Sequence, residues 1–186
     1  MKSLPSEENL AQVVISDPHY QSMFLGCMGE GGMEIPAFYD MEIKEILDTP
    51  IALLTSIDSP EDYKTLVAAI GLVKICKQRT AIIRHHLKGL SYQWGKLLRQ
   101  ATKYIETKYF AQLANVRVET KKAIITNALE PITQKVDQVD YLVSCADLAQ
   151  KHLDDLNWAV KNSSDLVSAY FAAIRTVSPS SLVHEI

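Results

Sequence analysis

The sequence predicts an all-α protein: a long antiparallel helical hairpin or bundle with a coiled-coil-like C-terminal helix and a loop-rich, acidic N-terminal arm. Three observations predict it. From Ile132 onward, apolar residues recur at steps of three, four or seven: Ile132, Val136, Val139, Val143, Ala146, Leu153, Val160, Val167, Tyr170 and Ile174. That is the period of a helix presenting one seam to a partner. Asp58-Ser59-Pro60-Glu61-Asp62 is a helix start: a capping serine, a proline at the first helical position, and acids at the positive end of the dipole. No segment alternates with the period of a strand, and the apolar runs Ile51–Leu54 and Ala81–Ile83 are short.

The 186 residues suit one domain, or one domain with an arm. Residues 1–58 form the arm. Pro5, Pro18, Pro36 and Pro50 and the stretch Gly29-Glu30-Gly31-Gly32 interrupt it. Up to Tyr63 it carries twelve acids against two lysines, a net charge of −10. One ordered piece is expected at Met41–Leu54, where Ile43, Ile46 and Leu47 fall at helical spacing before Pro50. The helical domain spans 59–176. Its basic helices occupy 60–129, with Leu66, Val67, Ile70, Val73, Ile82 and Ile83 at helical spacing, and Gly89 and Gly95 as candidate breaks. Pro131 either ends that stretch or opens the C-terminal helix region, 132–176. Gln150, Asn157 and Ser164 intrude on its seam, where polar groups set register at a cost in stability. Asn162-Ser163-Ser164-Asp165 leaves open whether this region is one helix or two. Residues 177–186 read as a tail. A hairpin of this kind has a thin core, so pairing between copies is expected.

Charge is segregated. Between Lys64 and Lys122 there are thirteen Lys/Arg and two acids, Glu106 and Glu119, a net +11, while the whole chain is −3. Two readings follow. The block attracts a polyanion, or the acidic segments neutralise it within the fold. Lys74, Lys77, Arg84, Lys88, Lys96, Arg99 and Lys103 fall on one slowly drifting face of a continuous helix, with Ala81 and Tyr92 filling the missing steps. At the helical rise that stripe is about 40 Å long, suited to tracking the phosphates of an extended strand. Tyr92, Trp94, Tyr104, Tyr109 and Phe110 interleave with the cations. They serve either as stacking platforms beside a charged groove or as core packing.

Other chemistry is not signalled. Cys27, Cys76 and Cys145 are odd in number and far apart, with neither disulfide nor zinc spacing. His85 and His86 are adjacent, so they point about 100° apart on a helix and cannot ligate from one face. The glycine stretch at 29–32 lacks the Lys-Ser/Thr of a phosphate loop. No nucleophile elbow or paired carboxylates stand out. The chain is expected to be non-enzymatic, without metal or cofactor. The opening segment lacks the basic flank and apolar stretch of a secretion signal, and no apolar run is long enough to span a membrane. A cytoplasmic protein is expected, in the host cytoplasm if viral.

Tyr63 to about Lys108 reads as a helix rich in Lys, Arg and Ala. From Ala123 follow Ile124-Ile125-Thr126, Lys135-Val136-Asp137, Tyr141, Leu148, Leu153-Asp154 and Ala159-Val160-Lys161. Over residues 63–170 this resembles the UvsY-type recombination mediators of tailed phages. The acidic arm departs from that family, whose members begin near the helical part. The resemblance implies an oligomeric single-stranded-DNA-binding protein, active in DNA recombination and repair. It implies a recombinase and a single-strand-binding protein as partners. It places DNA contacts on Lys74, Lys77, Arg79, Arg84 and Lys88, and oligomerisation on the C-terminal helix.

Overall fold

The computed structural model describes residues 7–28, 33–56, 62–114 and 116–177. They form α1 (Glu7–Ile15), α2 (Pro18–Met28), α3 (Tyr39–Thr55), α4 (Tyr63–Lys108), α5 (Phe110–Leu113) and α6 (Val118–Val177), with no strand among the described residues. The chain is all-α, as its periodicity predicts. It divides into two compact units, Met1–Ala37 with His85–Val143 and Phe38–Arg84 with Ser144–Ile186.

The first unit is organised by one hydrophobic core. α4 contributes Leu90, Trp94, Leu97, Ala101 and Ile105, and α6 contributes Ile124, Ala128, Ile132 and Val139. Each set advances by steps of three, four or seven, which keeps it on one helix face. Leu10 and Val14 of α1, Tyr20 of α2 and Met33 join the same cluster. The Tyr20 hydroxyl donates to the Ala128 carbonyl at 2.5 Å. Ser91 of α4 donates to Asp140 of α6 at 2.7 Å.

In the second unit, α3 buries Ile43, Ile46 and Pro50; α4 buries Leu66, Ala69, Val73, Cys76, Thr80 and Ile83. α6 buries Ala146, Ala149, Leu153 and Val160. The Thr80 hydroxyl is satisfied by the Cys76 carbonyl one turn back, at 2.9 Å. α4 and α6 run antiparallel here. Lys77 meets Asp154, and one heptad further along α4 Arg84 meets Asp147, one heptad earlier on α6. The polar intruder Gln150 leaves its Oε1 buried, with no hydrogen-bond partner among the described residues. That is the stability cost foreseen for such a position.

Several local expectations change. The arm is not loop-rich over its described length but holds α1, α2 and α3. Pro18 sits at the first position of α2, which its fixed φ favours, so it marks a start and not an interruption. Pro50 does not interrupt either: it is buried inside α3, which runs on to Thr55. Pro131 lies inside α6, flanked by buried Leu129 and Ile132, whose packing offsets the lost backbone bond. The basic helices placed at 60–129 break after Lys108, and the chain turns before Val118. The start signal at Asp58–Glu61, the glycine stretch, the tail beyond Val177 and the side chains of Tyr170 and Ile174 lie outside the described residues.

α4 continues through Gly89 and Gly95, and α6 through Asn162–Asp165. A methyl group at Gly71 or Gly89 would meet nothing within 4 Å. Gly71→Ala and Gly89→Ala are therefore each expected to stabilise the protein by about 0.5–1 kcal/mol, since alanine loses less backbone freedom on entering a helix. Urea unfolding followed by circular dichroism measures this.

Candidate nucleic-acid interface

Core packing orients α4 and so decides where its cations point. In the first unit, Leu90, Trp94, Leu97, Ala101 and Ile105 face inward. Tyr92, Lys96, Arg99 and Lys103 are exposed on the opposite side, separated by steps of four, three and four. On a helix of about 100° per residue these four side chains lie within an arc of roughly 60°. Among the described residues no carboxylate pairs with Lys96, Arg99 or Lys103. Gly95 lies among them. A Cβ there would stand 3.8 Å from Nη1 of Arg99, so the guanidinium reaches back along the helix over the glycine. Lys88, one turn before Tyr92, is exposed and engaged in a contact within the molecule.

The candidate cations of the second unit are placed differently. Lys77 Nζ lies 2.6 Å from Asp154 Oδ1. Arg79 Nη2 lies 2.7 Å from Glu42 Oε1 of α3, in the acidic arm. Arg84 Nε donates to Asp147 Oδ1. Lys74 is exposed, with no carboxylate partner among the described residues. Internal neutralisation thus accounts for part of the basic block. The chain's own acids neutralise Lys77, Arg79 and Arg84, while Lys96, Arg99 and Lys103 stay open.

A buried carboxylate withdraws further candidates from the surface. Asp17 caps α2: its Oδ1 accepts the backbone N–H of His19 at 2.9 Å and of Tyr20 at 3.3 Å. Its side chain is 2% exposed. It also accepts the hydroxyls of Tyr104 at 3.1 Å and Tyr109 at 2.7 Å, and the Lys108 ammonium. Burial alone would raise the Asp17 carboxyl. The Lys108 ammonium, the Tyr109 hydroxyl and the two backbone N–H groups outweigh it and hold the carboxyl well below the usual carboxylate range. The hydrogen bonds to Asp17 and Tyr104 push the Lys108 ammonium above its ordinary value. Burial and the hydrogen bond to Asp17 push the Tyr109 hydroxyl up to about 12. Lys108, Tyr104 and Tyr109 are therefore occupied by the fold.

Trp94 is a core residue too, with its Nε1–H donating to the Met33 carbonyl at 3.0 Å. Of the interleaved aromatics, Tyr92 and Phe110 are exposed, and Tyr92 alone shares the cationic face of α4. Sequence reasoning did not find Asp17. The available signal was Asp17-Pro18, a capping side chain followed by a proline at the first helical position.

His85 and His86 are exposed, and no group of metal-ligating side chains occurs among the described residues. No helix of the described residues is long and apolar enough to cross a membrane. Comparison with protein-family models, curated proteins and solved structures finds no match to the chain.

Proposed function

We propose that this protein is a non-enzymatic, oligomeric accessory of DNA recombination or replication that binds single-stranded DNA and assists in loading a recombinase. One observation carries the binding reading: Lys96, Arg99 and Lys103 stand exposed on one helix face without carboxylate partners among the described residues. Cations arranged in this way cost self-repulsion, which a row of phosphates relieves as counterions are released. The role beside a recombinase and a single-strand-binding protein rests on the UvsY-type resemblance of residues 63–170. The DNA track is narrower than the charge pattern implies, because Lys77, Arg79 and Arg84 are held by Asp154, Glu42 and Asp147.

Fluorescence anisotropy with a labelled single-stranded oligonucleotide at low salt tests this. Reversing Lys96, Arg99 and Lys103 to Glu is expected to weaken binding by at least about fiftyfold. Arg79→Gln, which removes an already neutralised cation, is expected to change it less than about twofold. Absence of binding by the unaltered protein at 50 mM salt would sink the proposal.

A second reading, a structural or scaffold protein that assembles with itself, is favoured by a different surface. In the second unit Leu148, Trp158 and Leu166 of α6, and Val67, Ile75 and Ile82 of α4, are exposed. Exposed apolar side chains in this number suit association between helices. The acidic arm also has a structural part: removing residues before Ser59 would strip Leu10, Val14 and Tyr20 from the core.

A further inference from the structure

We propose that Tyr92 is a base-stacking platform, and that it makes the cationic face of the first unit prefer single strands over duplex. The inference rests on the binding reading above and adds to it what the cations cannot supply. Phosphate contacts alone hold single and double strands alike, because both present a charged backbone. Discrimination requires a group that engages a base face, which is free in a single strand and buried in a stack.

Tyr92 meets that requirement by position and by surroundings. It is 67% exposed, whereas Trp94, Tyr109 and Tyr20 are buried. Buried Leu90 and Trp94 on either side fix its direction outward from the core. The next turn brings Gly95 and Lys96. Gly95 has no side chain to crowd the ring, and the guanidinium of Arg99 lies over it. A base laid on the Tyr92 ring would have its flanking phosphates meet Lys96 and Arg99 one and two turns along. Of the other exposed rings in the first unit, Phe110 lies on α5, beyond the end of α4, and Tyr141 lies on α6.

The test compares three strands of equal length: oligo-dT, an abasic strand with the same phosphates but no bases, and a duplex. Each is titrated by anisotropy against the unaltered protein, Tyr92→Ala and Tyr92→Phe. Stacking predicts that Tyr92→Ala weakens oligo-dT binding roughly tenfold, while abasic and duplex affinities stay within about twofold. Tyr92→Phe, which keeps the ring, should retain oligo-dT binding. Circular dichroism of the exposed-site variants should match the unaltered protein. Equal losses on oligo-dT and abasic strands, or no loss on either, would overturn the stacking proposal while leaving the cationic interface standing. Failure of the unaltered protein to bind any of the strands would overturn both.

Discussion

Trp94→Ala is expected to destabilise the protein by about 3–5 kcal/mol, the range for deleting a fully enclosed aromatic ring. Trp94 has no exposed surface. Its ring lies 6.1 Å from that of Phe24, tilted by 56°, and its Nε1–H donates to the Met33 carbonyl at 3.0 Å. Truncation empties a cavity between α4 and α2 and leaves a buried carbonyl without its donor. Those two costs add, because the first is lost packing and the second is lost hydrogen bonding. Trp94→Phe, which refills most of the volume but not the hydrogen bond, should lose less. Urea unfolding followed by circular dichroism measures both. A Trp94→Ala protein as stable as the original would mean that this core is not where stability resides.

The second large effect is expected at Asp17. Asp17→Ala removes the cap of α2 and leaves the Tyr109 hydroxyl buried without its acceptor. A loss of about 2–4 kcal/mol is expected, as for breaking a buried charged network by deleting one member. The charge also predicts a pH dependence. The folded carboxyl titrates below its ordinary value, so its contribution is complete above the unfolded pKa of about 4 and is lost as pH falls further. Lys108 and Tyr109 titrate above their ordinary values, so the folded state holds those protons longer. Stability should therefore also decline as pH rises past about 10, towards the Tyr109 value of about 12. Asp17→Asn keeps an oxygen for the cap but no charge. It should flatten the acid limb and reduce the alkaline one. Unfolding midpoints between pH 3 and pH 11 for the two proteins would reveal this; parallel profiles would contradict it.

The helices were legible because burial on them is periodic. Ile132, Val139, Ala146, Leu153 and Val160 repeat every seventh residue, and all five are buried. Along α4 the reading was coarser. Leu66, Val73 and Ile83 are buried, but Val67 and Ile82, which share the same local pattern, are exposed. A window of apolar residues does not say which edge of the stripe a second helix covers. The turn after Lys108 carries no glycine or proline, so nothing local marked it. Tyr109 is held there by Asp17, 92 residues earlier in the chain.

The candidate interface was half legible for the same reason. Counting charges found the basic block but not its partners. Arg79 meets an acid 37 positions away, and Arg84 meets one 63 positions away. Pairings over such separations depend on how helices stack, which single-helix periodicity does not encode. What stayed open on folding were Lys96, Arg99 and Lys103, which no carboxylate pairs with among the described residues. Tyr92 was visible only as one of five interleaved aromatics, until burial of Trp94 and Tyr109 and the occupation of Tyr104 set it apart.

The salt dependence of single-strand binding tests the open cationic face most directly. Each cation that releases a counterion from a single strand adds about 0.7 to the slope of log affinity against log salt. Neutralising Lys96, Arg99 and Lys103 together, each to Gln, should therefore make the slope shallower by about 2. A slope unchanged by the triple substitution, or an affinity indifferent to salt in the unaltered protein, would contradict the account.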